Sequence, residues 1–379
     1  MAPPTSTFTA DKHNGTDRKG GFLSFNRSPP RVVVSADATE DDFDQDIMNF
    51  LEDEGFEVFF LPFEGGGKEY INELNRQTED LELGMGYALV VFGIAATEAL
   101  AAALKPMNKM NALIAYYPTQ IPAQNASFPP SLRTLVHLAG GKPYEPRYPN
   151  YTYPGVLPGF AEQNSVNYDK VAASLAWSRT LGLVRKASNT EVDLEHMVED
   201  HLTKETTTRS ASATLKTLTP AASAPPEPHI TYTPTLTGGV GHKDLKRFYK
   251  EFFMPRLPRS YRTQLISRTI GVDRVVDELI VSFDHDVEIP FMLPGLPPTG
   301  KHVEVPLISI VCVRGGKVAH ERVYWDQASV LVQAGVLDPG TAGVGKAHGK
   351  RLPVVSGAEA AAVVRDEQDA VYNKLIPDW

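Results

Sequence analysis

The chain is 379 residues long, carries a formal net charge of -9, and is 42% hydrophobic and 22% charged. That length accommodates about two domains of ~100–200 residues each, and an acidic balance with no basic stripe argues against nucleic acid or membrane as partners. The single cysteine, Cys312, excludes an internal disulfide and points to a reducing, cytoplasmic setting.

Residues 1–30 read as a flexible tail, polar and lacking the apolar core of a secretory signal. Arg31–Ala36 is a short β-branched run, hence a buried strand. Helical spacing of Phe43, Ile47, Phe50 and Leu51 over Asp37–Glu54 follows, ended by Gly55. A strand at Phe56–Leu61, a helix at Glu69–Gln77, a strand at Tyr87–Phe92 and an Ala-rich helix to Lys105 come next. Asn111–Tyr117 and Leu132–Leu138 are further apolar runs, and Val166–Arg185 is the closing helix. Strands alternating with helices predict an α/β unit with a parallel sheet over residues 31–186. From 187 to 241 the composition shifts to a short helix (Glu191–Lys204), a Thr/Ser/Ala/Pro linker (Thr206–Pro228) and glycines at 238, 239 and 241. Residues 242–345 place one apolar-faced helix (His242–Phe253) before a run of strands, an α+β pattern. A C-terminal extension, 346–379, ends in a helix predicted over Gly357–Leu375.

Around the Tyr87–Phe92 strand the first half resembles the dienelactone hydrolase family of α/β hydrolases. The residues that carry this are Val90–Gly93, Asn111–Tyr117, Val136–Gly140, Tyr153–Phe160 and Ala172–Thr180. The resemblance implies a nucleophile on the turn after the strand, an Asp after the Leu138–Gly141 strand end, and a His just before Gly159. This chain has Ala95 and Pro158 at the first and third positions, and Lys142-Pro143-Tyr144-Glu145 after Gly141. Without nucleophile, base and orienter no acyl-transfer mechanism remains. The half therefore reads as a scaffold, with His137 a packed strand residue; a Ser or Thr paired to a His within it would revive hydrolysis.

The second half resembles the SnoaL-like polyketide cyclases of the ketosteroid-isomerase-like superfamily. Ser282-Phe283-Asp284-His285-Asp286, the Met292–Gly300 turn, the Gly315-Gly316-Lys317 hairpin and Glu321-Arg322-Val323-Tyr324-Trp325-Asp326 carry it. The joined halves also look like a fusion common in fungal sequences. The resemblance implies a cone-shaped curved sheet around an apolar pocket, in which a desolvated acid or imidazole moves protons next to a carbonyl without metal or organic cofactor. It nominates Asp326 as acid/base with His285 as its neighbour, Glu321 as the second carboxylate and Tyr324 as oxyanion donor; Trp325, His320, Glu288 and Phe291 complete the expected pocket. Strand parity sets His320, Arg322, Tyr324 and Asp326 on one face and Glu321, Val323 and Trp325 on the other, and the more apolar set favours Glu321 pointing inward.

The expected function is a cofactor-free cyclase or isomerase acting on a small apolar carbonyl compound of secondary metabolism. A homodimer through the outer sheet face is expected from the resemblance. The alternatives are a non-catalytic binding or assembly protein and an ester or lactone hydrolase. The His/carboxylate spacing over 285–288 and 320–321 matches no established metal site, so none is assigned. A pocket holding an inward acid with a raised pKa separates the enzyme from a filled, non-catalytic cone.

Overall fold

The computed structural model describes residues 28–141, 144–220, 227–340, 354, 357–366, 372–373 and 375–376. Of the tail expected over 1–30, residues 1–27 lie outside the described residues.

Six strands form a fully parallel sheet: β1 (Arg31–Ala36), β2 (Glu57–Pro62), β3 (Tyr87–Phe92), β4 (Met110–Tyr116), β5 (Arg133–Ala139) and β6 (Asn150–Tyr153), in the order β2-β1-β3-β4-β5-β6. Every residue of β1 and β3 is buried, as continuous apolar runs must be when helices cover both faces. Helices α1 (Gln45–Asp53) and α4 (Lys170–Ser188) pack on one face with Val34, Phe92 and Tyr116. Helices α2 (Gly67–Arg76) and α3 (Gly93–Ala102) pack on the other with Val33, Leu89 and Leu113. Helix α1 starts eight residues later than its periodicity predicts, because Asp44 is the cap: its side chain accepts from the Asp46 amide. Strand β6 escapes sequence reading, since Asn-Tyr-Thr-Tyr at a sheet edge has no apolar alternation.

The second sheet holds β7 (His229–Tyr232), β8 (Thr237–Val240), β9 (Arg262–Ile270), β10 (Arg274–Asp284), β11 (His302–Arg314) and β12 (Lys317–Trp325), ordered β8-β7-β12-β11-β10-β9. It is antiparallel except where β12 meets β7. One face buries its own core against α5 (Leu194–Leu202), α7 (Gly241–Arg247) and α8 (Gln327–Gln333), through Val198, Leu245, Tyr249, Val311, Val323 and Val330.

Two expectations for residues 187–241 are corrected here. Part of the linker folds: α6 (Ala211–Leu215) is helical, and Leu218, 3% exposed, bridges to Val318. Gly238 and Gly239 belong to β8 and Gly241 opens α7; Gly238 has φ 123 and a Cβ there would meet the Ile230 carbonyl oxygen at 2.0 Å, so strand pairing, not chain flexibility, requires it. The helix expected over Gly357–Leu375 is α9 (Glu359–Arg365), ended by Asp366 in extended conformation.

The two sheets' elements touch through buried charge. Asp273, in the β9–β10 turn, accepts from Ser178 of α4 and from Arg314 at the end of β11, each at 2.5 Å. Arg185 of α4 donates to Glu54 and to the Val272 carbonyl, both at 2.5 Å. Among the described residues no helix is long and apolar enough to cross a membrane.

Candidate active site

Helix α5 is clamped to the second sheet by one guanidinium. Arg268 grips Asp277 of β10 with two nitrogens, at 2.7 and 2.9 Å, and reaches Glu199 and Glu195 of α5 at 2.9 and 3.2 Å. The helix thus enters the core with Leu194, Val198 and His201 facing inward. It continues through a π-helical turn, Thr203–Thr207, which sets Glu205 four residues after His201 on the same side. A second π-helical turn, Phe248–Phe253, carries Tyr249. Such turns are rare, and frequent at functional sites. From the sheet comes Glu321, inward with Val323 and Trp325, while Arg322 and Tyr324 face out.

These side chains meet in a node sealed from water: His201 and Tyr249 are 0% exposed, Glu205 and Glu321 2%. Thr217 Oγ1 gives its proton to the Thr214 carbonyl at 2.6 Å, so it accepts from His201 Nδ1 at 2.6 Å. That bond fixes Nδ1 as protonated and turns Nε2 toward Glu321 Oε2, 3.8 Å away. Ser309 donates to the other Glu321 oxygen at 2.7 Å. Four buried polar atoms make no hydrogen bond within 3.5 Å, His201 Nε2, Glu205 Oε1, Glu321 Oε2 and the Tyr249 hydroxyl, although His201 approaches Glu321 and Tyr249 approaches Glu205. Such atoms are rare in folded proteins, and four in one node mark a place where something else binds or a proton moves.

Burial, reinforced by the Glu321 charge, pushes the Glu205 carboxyl up to about 8. Burial pulls His201 down, but its contact with Glu321 and the nearby Glu205 outweigh it, and the net shift is upward. Burial and the same carboxylates hold the Tyr249 and Tyr232 phenols well above their ordinary value, so both remain donors. His201, Glu205 and Glu321 each offer a ligand atom within 4.8 Å of the others, a donor set that can hold a divalent cation. Its supporting bonds, Nδ1–H to Thr217 and Ser309 to Glu321, are those that orient metal ligands.

Of the residues nominated from the sequence, the structure gathers Glu321, Trp325 and Phe291 in this core. Trp325 spends its Nε1–H on Gln327 at 2.6 Å, and Phe291 packs 4.7 Å from Phe253 and 5.3 Å from Tyr232. The rest lie elsewhere. Asp326 is exposed and caps α8, accepting from the Ala328 and Ser329 amides, so its carboxylate is held by backbone outside the node. His285 is buried, but it follows Asp284, the end of β10, which pairs with His302, whereas Glu321 pairs with Val311. That is nine residues farther along β11, about 30 Å of strand at ~3.3 Å per residue. Its Nδ1 meets Thr299 at 3.1 Å, and it has no part in the Glu321 site. Tyr324 is 39% exposed on the outer face. Glu288 sits half-buried 4.0 Å from Arg256, and His320 points outward, stacked on His229 at 4.8 Å.

His201, Glu205 and Tyr249 escaped sequence reading. The available signal was His-x-x-x-Glu at helical spacing within an apolar stripe, continued beyond Lys204, where sequence alone ends the helix. As an expected outcome, Asp326→Ala costs about 1 kcal/mol of stability through the lost cap and leaves any chemistry at the node intact; denaturant titration beside a turnover assay checks both.

In the parallel-sheet half, Ala95 is wholly buried. His137 does contact a hydroxyl, Thr180 at 3.0 Å, but its other nitrogen meets the Tyr153 phenol at 2.9 Å rather than a carboxylate. Burial and Arg179 hold it down at about 3, which leaves a poor general base at neutral pH.

No protein-family model matches the chain, and no curated protein matches it. Among solved structures it is similar to a protein from Jannaschia sp. CCS1 described as a SnoaL-like polyketide cyclase, at 17% identity and TM-score 0.31, over 39% of this chain and 99% of that one. A second protein so described, from Shewanella putrefaciens CN-32, aligns at 12% identity and TM-score 0.31 over 40% of this chain and 92% of that one. A protein with a ketosteroid isomerase-like fold from Catenulispora acidiphila DSM 44928, solved with trimethylamine, aligns at 15% identity and TM-score 0.29, over 37% and 93%.

Proposed function

We propose that the second sheet and its helices form a cofactor-free isomerase or cyclase unit that moves a proton beside a carbonyl on a small apolar molecule. The observation that carries this is the sealed pair of carboxyls in unlike environments, Glu205 retaining its proton to about pH 8 and Glu321 held by Ser309 next to His201. Environments that separate two neighbouring acids assign the roles of donor and acceptor. Glu321 takes the proton from the carbon next to the carbonyl; Glu205 or the Tyr249 phenol donates to the oxygen as the enol forms. Return of the proton to another carbon, or attack of that enol on a second carbonyl, gives the isomerised or ring-closed product. Tyr232, Phe253, Phe291 and Trp325 pack in ring contact within the same core and the node is sealed, so a substrate enters by displacing side chains. The parallel-sheet half serves as a hydrolase-like scaffold without a nucleophile.

A second reading follows from His201. With Nδ1 turned to Thr217, a divalent cation that displaced the node's protons would meet the Nε2 lone pair beside two carboxylates, in a non-catalytic or metal-dependent protein. One experiment separates the two. Deuterium uptake from D2O into a panel of small apolar ketones is followed by mass spectrometry, with metal content measured on the same preparation. Proton-transfer catalysis predicts uptake that Glu321→Gln lowers by about 10²–10⁴ in metal-free protein. Stoichiometric metal with no metal-free exchange sinks the first reading.

A further inference from the structure

A cavity of about 490 Å³ opens between α1 and α4 on one side and the outer face of the second sheet on the other. Phe50, Leu51, Leu175 and Trp177 form one wall, Ile310 and Cys312 the other. This volume suits a small organic molecule, and the space is separate from the His201–Glu205–Glu321 node, which lies across the sheet. Its charged groups are mostly cationic. Lys170, Arg274, Arg314 and Arg322 line it, against the carboxylate of Asp53. Arg314 is taken up by Asp273, and Arg274 lies 3.8 Å from the same carboxylate. Arg322 and Lys170 have no ion-pair or hydrogen-bond partner among the described residues. Two further buried lining groups are unpartnered, the Trp177 indole nitrogen and the Thr219 hydroxyl.

We infer that this cavity binds a small aromatic or aliphatic carboxylate, its apolar body against the wall that Phe50 and Trp177 form in ring contact and its acid group toward Arg322 and Lys170. The field on the wall agrees. His320 is held down at about 3, by burial first and then by His229, Arg322, Arg274 and Arg314 acting together. An anion seated there relieves that repulsion. An apolar residue at 322 would leave the sheet face equally well packed, since Arg322 is exposed and makes no bond that the fold needs.

The test uses 2-naphthoate and its neutral isostere 2-naphthamide, titrated calorimetrically into the full-length protein. Naphthoate is expected to bind at least about tenfold tighter than the amide, the increment of one charge-assisted hydrogen bond. Arg322→Gln removes most of that difference, while Glu321→Gln leaves it unchanged; circular dichroism confirms that each variant is folded. In imidazole NMR, saturating naphthoate raises the His320 titration midpoint. Equal affinity for acid and amide, or no naphthoate binding at millimolar concentration, overturns the inference. Loss on Glu321→Gln but not on Arg322→Gln also overturns it, by placing the acid in the inner node. Deuterium exchange that fails while Arg322→Gln still weakens naphthoate sinks the proton-transfer reading and leaves this site standing.

Discussion

Asp273→Ala is expected to lower the stability of the protein by about 3–5 kcal/mol, the cost of leaving a buried charge without its partner. Asp273 is 3% exposed and takes two side-chain bonds of 2.5 Å, from Arg314 and Ser178, with Arg274 at 3.8 Å. Truncation leaves the Arg314 guanidinium, stacked 5.9 Å from the Trp177 ring, facing an apolar wall. Burial raises the Asp273 carboxyl, but Arg314, Ser178 and Arg274 outweigh it and hold it below its ordinary value of 3.8. A lowered carboxyl stabilises the fold above its unfolded pKa and loses that contribution as the pH falls through the folded one. The gap between wild type and variant is therefore full at pH 7 and closes below about pH 4. Urea titration followed by tryptophan emission measures it. The double variant Asp273→Ala/Arg314→Met should recover most of the loss, because removing both partners leaves no orphaned charge. A double variant as unstable as the single would show that the ion pair is not the cause.

The second large effect has the opposite sign. Glu205→Gln is expected to stabilise the protein at alkaline pH, by roughly 2–5 kcal/mol at pH 9. The Glu205 carboxyl, ordinarily near 4.5, is raised to about 8. Between those values the folded chain holds a proton that the unfolded chain has released. Its contribution is complete below about pH 4.5 and is lost as the pH rises through 8. The amide cannot ionise, so the variant escapes the loss, and thermal melts from pH 5 to 9 should diverge in its favour as the pH rises. A bound divalent cation would reverse this outcome. Glu205 would then be a ligand, the variant would melt lower at every pH, and a chelator would destabilise wild type alone. The direction of one melting shift thus discriminates proton-transfer node from metal centre.

The sequence alone determined the layers of this protein. Val32–Val34 and Leu89–Val91 are unbroken apolar runs that only a doubly covered strand can bury, and the parallel sheet follows from their alternation with helices. Strand parity likewise placed Glu321 inward with Val323 and Trp325, since the period of two leaves no other arrangement once an apolar face is buried. The site itself belongs to tertiary structure. Asp326 and His285 carry the right chemistry, yet one is consumed by a helix cap and the other sits at the far end of a long strand; local sequence encodes neither fact. His201 and Glu205 reach Glu321 because Arg268 pins α5 to Asp277 and a π-helical turn carries the helix onward. Those residues stand 116 to 120 positions before Glu321 or its immediate neighbours, roughly, and loop closure over such separations leaves no periodic trace. Periodicity reports which face of an element is dry; only packing decides which dry faces meet.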